Sequence, residues 1–242
     1  MSHKKDQFDI AEEQVNAFLG RITPERRPLV SLGFPRKIDT ITLAAIPRPP
    51  VEFRSVSALS ENRVRAIMRS DYRYYGPINR SDETLMGYIV AIRKGCVIFS
   101  NPDFGDRTER FTQAHEVGHL MRDLRVHIPN IDQLDLFKTE AEVALTMPRD
   151  LPGTIPMDGP GPTPRPPRKD PREVYANLFA AEFLMPRAEV RRLAGNIRDE
   201  QERVETLMET FLVSRTAARV RLKMLGFFGG EEPAMMLFDL AD

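Results

Sequence analysis

Apolar residues return along this chain with three different rhythms, and each rhythm predicts an element. Ile10, Val15, Phe18 and Leu19 recur at helical spacing and stop near Gly20, which predicts an amphipathic helix within residues 1–30. Pro35, Pro47, Pro49 and Pro50 then interrupt the chain, and the β-branched run at 38–46 predicts a short strand between them. Val64, Ile67 and Met68 predict a helix over 60–72. Gly87–Ile92 and 96–100 are β-rich runs separated by Arg93, Lys94 and Gly95, the pattern of a hairpin. Phe111, Ala114, Val117, Met121 and Leu124 restore the helical period, with Asp106 and Glu109 in the N-cap and N3 positions of a capping box.

The pattern breaks at 147–171. Nine prolines fall between Pro148 and Pro171, which excludes a regular helix or a central strand and predicts a long proline-rich loop, partly polyproline II. A helix starts cleanly after it. Asp170 stands as N-cap, Pro171 at N1 and Glu173 at N3, and the segment is apolar nearly all round up to Pro186, as a buried helix would be. A further short helix follows at 187–193. Val204, Leu207, Met208 and Phe211 predict another helix, and Ser214 caps a last one that ends at Gly226. These two helices with a short turn between them have a helix-turn-helix look, and Arg215, Arg219, Arg221 and Lys223 make the second basic. The tail at 231–242 mixes acidic and apolar residues and is expected to pack as a last strand or to dock on a partner.

Composition narrows the classes. The chain has 242 residues, of which 41% are hydrophobic, enough for a globular core. Lys plus Arg and Asp plus Glu are both 35, so overall charge gives no case for bulk attraction to nucleic acid or to a membrane. The lone Cys96 excludes an internal disulfide framework and fits a reducing compartment. The polar start of the chain has no signal-peptide character, and no run approaches 18 apolar residues, so a cytoplasmic protein is expected.

The chemistry concentrates in His115-Glu116-Val117-Gly118-His119, which holds two of the four histidines. Positions i and i+4 of a helix lie one turn apart on one face, so both imidazoles can point at one metal ion. Glu116 is close enough to reach a water on that metal, the H-E-x-x-H arrangement of a zinc peptidase with glutamate as general base. A purely structural zinc site would not need Glu116. Gly118 removes side-chain bulk beside the metal-facing histidine. The motif is expected in mid-helix.

A catalytic zinc needs a third protein ligand. An extension by a third histidine fails, because Arg122 and Arg125 stand where glycine and histidine would be required and His127 is out of register. Glu140, Glu142, Glu173 and Glu182 are the acidic candidates downstream. Glu173 is favoured because Asn177 lies one turn on along the same face, where its amide can support a ligating histidine; Glu140 is the runner-up. The competing role for Glu173 is simply that of a capping residue in the first turn. Tyr175, Arg122 and Arg110 are candidates for the donor that steadies an oxyanion.

These residues, taken with their neighbours, resemble the ImmA/IrrE metallo-endopeptidases. The matching pieces are Glu109-Arg110-Phe111-Thr112-Gln113-Ala114-His115-Glu116-Val117-Gly118-His119, then Glu173-x-x-x-Asn177 running into Phe179-Ala180-Ala181-Glu182-Phe183-Leu184-Met185-Pro186. The hairpin before the first piece and Phe211-Leu212-Val213-Ser214 with Ala217, Arg221, Leu222, Leu225 and Gly226 also fit, so the resemblance spans about residues 85–226 with the proline-rich stretch unmatched. It implies an α+β fold with a gluzincin-like domain, its small sheet carrying a hairpin edge against the metal helix. It also implies Zn2+ held by His115, His119 and Glu173, Glu116 as base, Asn177 behind the histidine, and a helix-turn-helix repressor as substrate. The expected organisation is an unplaced N-terminal segment at 1–80, the peptidase core at 81–195 with the insertion, and a C-terminal helical module at 196–242. The rival readings are a zinc-containing DNA-binding regulator without proteolysis and a repressor-binding, antitoxin-like protein that acts by contact alone.

Overall fold

The computed structural model describes residues 7–47, 50–92, 95–124 and 171–228. Among these the chain forms eight α-helices and one three-stranded sheet, an α+β architecture. In chain order they are α1 (Gln7–Leu19), α2 (Ile38–Ala45), β1 (Val51–Ser55), α3 (Glu61–Tyr72), β2 (Gly87–Ile92), β3 (Gly95–Ser100), α4 (Asp106–His119), α5 (Pro171–Leu184), α6 (Arg187–Ala194), α7 (Glu200–Phe211) and α8 (Arg215–Met224). Glu140, Glu142, His127, the proline-rich stretch before Pro171 and the tail at 231–242 lie outside the described residues.

β3 is the middle strand, antiparallel to β2 and parallel to β1, with Ile98 opposite both Ile89 and Phe53. All six of its residues are buried. Side chains of a strand alternate between faces, so a strand covered on both sides reads as a continuous apolar run. Val97 and Phe99 pack with Leu59, Val64 and Met68 on the α3 side, whereas Cys96 and Ile98 join the main core with α4 and α5. Burial pushes the Cys96 thiol up to about 12.

The structure corrects the strand expected at 38–46, which is the helix α2, while the strand of this region is β1 further on. Ile38, Ile41, Thr42 and Ala45 are buried at i, i+3, i+4 and i+7, a helical stripe beneath a β-branched composition. Packing of that stripe outweighs propensities worth about 0.7 kcal/mol or less per residue. The segment at 60–72 forms the expected helix, with the Ser60 hydroxyl accepting from the Arg63 amide.

The N-terminal helix gains a place. Phe18 of α1 meets Phe179 and Phe183 of α5 edge-on, each with ring centroids 5.8 Å apart. Arg187 adds ion pairs to Asp9 and Glu12. Thus α1 backs the helix that carries Glu173. The main apolar cluster continues through Val204, Leu207, Phe211, Ala217, Ala218 and Leu222, so α7 and α8 close the same core. On α8, Arg215 pairs with Glu205, Arg219 pairs with Glu200, and Arg221 is buried against Glu182. No described helix is long and apolar enough to cross a membrane.

Candidate metal centre

The start of α4 differs from the capping box. Gly105 is the N-cap, and its backbone carbonyl accepts from the amides of Thr108 and Glu109. Its φ of 85° lies where side chains are disfavoured, so glycine suits the turn. Glu109 instead accepts hydrogen bonds from Ser55 Oγ at 2.6 Å and Ser100 Oγ at 2.7 Å, at the ends of β1 and β3. Gln113 Nε2 donates to the same Ser100 hydroxyl. These bonds fix the register of α4 on the sheet, and only the sheet topology brings the partners together. The H-E-x-x-H stretch lies at the C-terminal end of α4 rather than in mid-helix, and a π turn, Leu120–Leu124, continues from it.

α4 and α5 pack closely. A Cβ on Gly118 would lie 2.9 Å from Ala176 Cα and 3.3 Å from Phe179 Cβ. Gly118 therefore makes room for the neighbouring helix, not for an adjacent histidine. We expect Gly118→Ala to push α5 away and to cost about 1–3 kcal/mol, read as a lowered midpoint in urea unfolding.

That approach brings three ligand-type side chains together. His115 Nε2 is 3.3 Å from Glu173 Oε2, His119 Nε2 is 3.3 Å from Glu173 Oε1, and the two Nε2 atoms are 3.0 Å apart. One ligand atom from each residue lies within 4.8 Å of the others, so this group could hold a metal ion. His115 and His119 are almost fully buried, and the Glu173 side chain is 15% exposed. On the far side of the first ring, His115 Nδ1 lies 2.9 Å from Asn177 Oδ1. An amide oxygen only accepts, so Nδ1 carries the proton and Nε2 offers its lone pair to the cluster.

The electrostatics suit a cation. Burial lowers the pKa of His115 and favours the neutral ring, despite Glu173 beside it. Burial pushes the Glu173 carboxyl up, whereas N–H donation and positive charge from the two rings, when they carry protons there, outweigh it and hold the group down at about 2; a cation among bare Nε2 atoms would act in the same direction. Glu173 Oε1 is buried without a hydrogen-bond donor among the described residues, as is Glu116 Oε2. Lone pairs gathered around such orphaned oxygens favour a positive ion between them.

Glu116 is 2% exposed, and burial raises its carboxyl to about 8, with His119 opposing and Glu173 adding to the rise. The start of β2 lies against it. A Cβ on Gly87 would overlap Thr112 Cγ2 and sit 2.8 Å from Glu116 Oε1. Nothing in the sequence signals this contact, since Gly87 reads only as the first residue of a strand.

The other candidates fall elsewhere. Glu182 is bound to Arg221 and accepts from the Arg187 amide, so it is no part of the cluster. Arg110 Nη2 donates to the Arg36 carbonyl ahead of α2. Arg122 and Tyr175 stack on each other, with the guanidinium carbon 5.1 Å from the ring centroid, beside the turn that carries Glu173.

No curated protein and no solved structure matches the chain. A family model does match residues 161–223, that of the IrrE N-terminal-like domain, a peptidase family. The matched stretch includes Glu173 and Asn177 and reaches the last turn of α8. Over 161–223 the chain thus carries an IrrE N-terminal-like segment, in agreement with its resemblance to the ImmA/IrrE proteins.

Proposed function

We propose that the protein is a zinc-dependent endopeptidase of gluzincin-like build, in which His115, His119 and Glu173 hold the ion and Glu116 is the general base. The observation that carries this reading is the Glu173 carboxylate lying 3.3 Å from both Nε2 atoms of the H-E-x-x-H histidines, brought there by a separate helix. The residues fit a zinc ion by type, since two imidazoles and one carboxylate are a common donor set of catalytic sites. When bound, zinc supplies a Lewis acid that polarises a peptide carbonyl and brings the pKa of water down to about 7.

The chain's own groups supply the rest. Glu116 takes the proton of the attacking water at a carboxylate oxygen and returns it to the departing amine. Burial raises the Glu116 carboxyl in the metal-free protein, which makes it the stronger base once it is ionised. Asn177 holds the His115 ring in the tautomer that leaves Nε2 free. β2 is an edge of the sheet and starts against Glu116, so an extended peptide adding to this edge would run past the base.

The resemblance further suggests a cytoplasmic protein whose substrate is a helix-turn-helix repressor of stress or mobile-element genes. The test is to incubate a repressor encoded beside this chain with the purified protein. Cleavage should require zinc and stop with a chelator; an intact repressor after incubation with zinc-loaded protein would overturn the reading.

Asn177 offers a finer check. Asn177→Ala should weaken zinc binding about 10- to 100-fold while the protein stays folded, measured by competition with a chromophoric chelator.

A further inference from the structure

Arg122 stands in the π turn Leu120–Leu124 that directly follows His119, and it makes contacts on either side of Glu173, to Pro171 and to Tyr175. Its Nη1 donates to the carbonyl of Pro171, the first residue of α5, at 2.6 Å. Its guanidinium carbon lies 5.1 Å from the centre of the Tyr175 ring. That ring leans in turn on Phe179, with centroids 6.4 Å apart, inside the core. Arg122 thus ties the π turn after α4 to the first turn of α5, in addition to the close helix contact at Gly118. π turns often mark functional positions along helices, and this one begins where the histidine pair ends.

We propose that Arg122 is a positioning residue for the metal centre, clamping Pro171 and Tyr175 so that the Glu173 carboxylate between them stays in register with His115 and His119. The planar guanidinium does both jobs at once, donating at its edge and stacking on its face. This inference rests on the proposed metal site and adds the element that holds its third ligand.

The test is zinc affinity by chelator competition, together with the thermal midpoint of the metal-free protein. Arg122→Ala should weaken zinc binding about 10-fold or more, in the range of other groups that orient a ligand. The metal-free midpoint should change little. Arg122→Lys should recover part of the affinity, because an ammonium can still donate to Pro171 and lie over the ring. Tyr175→Phe should bind as the wild type does, and Tyr175→Ala should lose affinity as Arg122→Ala does. Unchanged affinity in Arg122→Ala, or a lower metal-free midpoint with unchanged affinity, would overturn the clamp. Wild-type protein that takes up no zinc would overturn the metal-site reading itself, a result distinct from either.

Discussion

Glu116→Gln is expected to lose about 10²–10⁴-fold in cleavage rate while binding zinc as the wild type does, the magnitude usual for a positioned proton carrier. Glutamine keeps the shape and burial of the side chain but takes up no proton. The histidines and Glu173 are untouched by the exchange, so metal content and cleavage should separate cleanly. Full activity in this variant would end the proposed mechanism. Stability supplies an independent readout in the metal-free protein. Burial lifts the Glu116 carboxyl from an ordinary value of 4.5 to about 8, so between those pH values the folded state holds a proton that the unfolded state has released. Stability from this group is therefore full below about pH 4.5 and falls as pH rises toward about 8. Glutamine has nothing to titrate. The variant should match the wild type in acid and become the more stable of the two as pH rises through that window, as followed by urea unfolding. The absence of any pH-dependent gap would mean that Glu116 is ionised throughout and better solvated than its 2% exposure implies.

Much of the site was legible before any fold was known, because its chemistry is local. His115, Glu116 and His119 share one helix, and helical spacing alone puts both imidazoles on one side. Glu173 and Asn177 likewise share a helix, and the i, i+4 relation proposed a ligand with its support. The choice between Glu173 and Glu182 is a different matter. It depends on how α5 lies across α4 and on the partner each carboxylate finds, and that partner for Glu182 is Arg221, distant in sequence. The capping box failed for a related reason. Asp106 and Glu109 have the right residue types, but the hydroxyls of Ser55 and Ser100 claim the glutamate once the sheet forms. α2 shows the limit of composition, since isoleucine and threonine suggest a strand even where their spacing is helical. Gly87 and Gly118 show the limit of local reading. Their role is to let another element come close, and a single sequence does not say which element that is.

Breaking the Glu182–Arg221 pair should cause the largest loss of stability of any substitution considered for this fold, about 3–5 kcal/mol for Arg221→Ala. Arg221 is 1% exposed, donates from Nε to the Met185 carbonyl at 2.9 Å and is paired through Nη2 with Glu182. Removing it leaves a carboxylate 5% exposed without its bonded counter-charge, with Arg36 acting on it only electrostatically, and leaves the Met185 carbonyl just past α5 without its donor. Burial alone already lowers the pKa of the guanidinium, and Glu182 acts against that shift, so each charge is tolerated because of the other. The double replacement Glu182→Leu with Arg221→Met removes both charges and should recover much of the loss, because burying an ion pair is itself unfavourable. Recovery should stop short of the wild type. The Arg187 amide at the start of α6 now bonds to Glu182 at 3.0 Å, and the Met185 carbonyl bonds to Arg221; each lost bond costs about 0.5–1.5 kcal/mol. Urea unfolding of the single and double variants, taken as a cycle, measures the coupling directly. Additive losses would mean that the pair is not a unit. The network lies at the opposite end of α5 from Glu173, so zinc affinity of the folded double variant should equal that of the wild type. A fall in affinity there would show that the far end of α5 also sets the position of the third ligand.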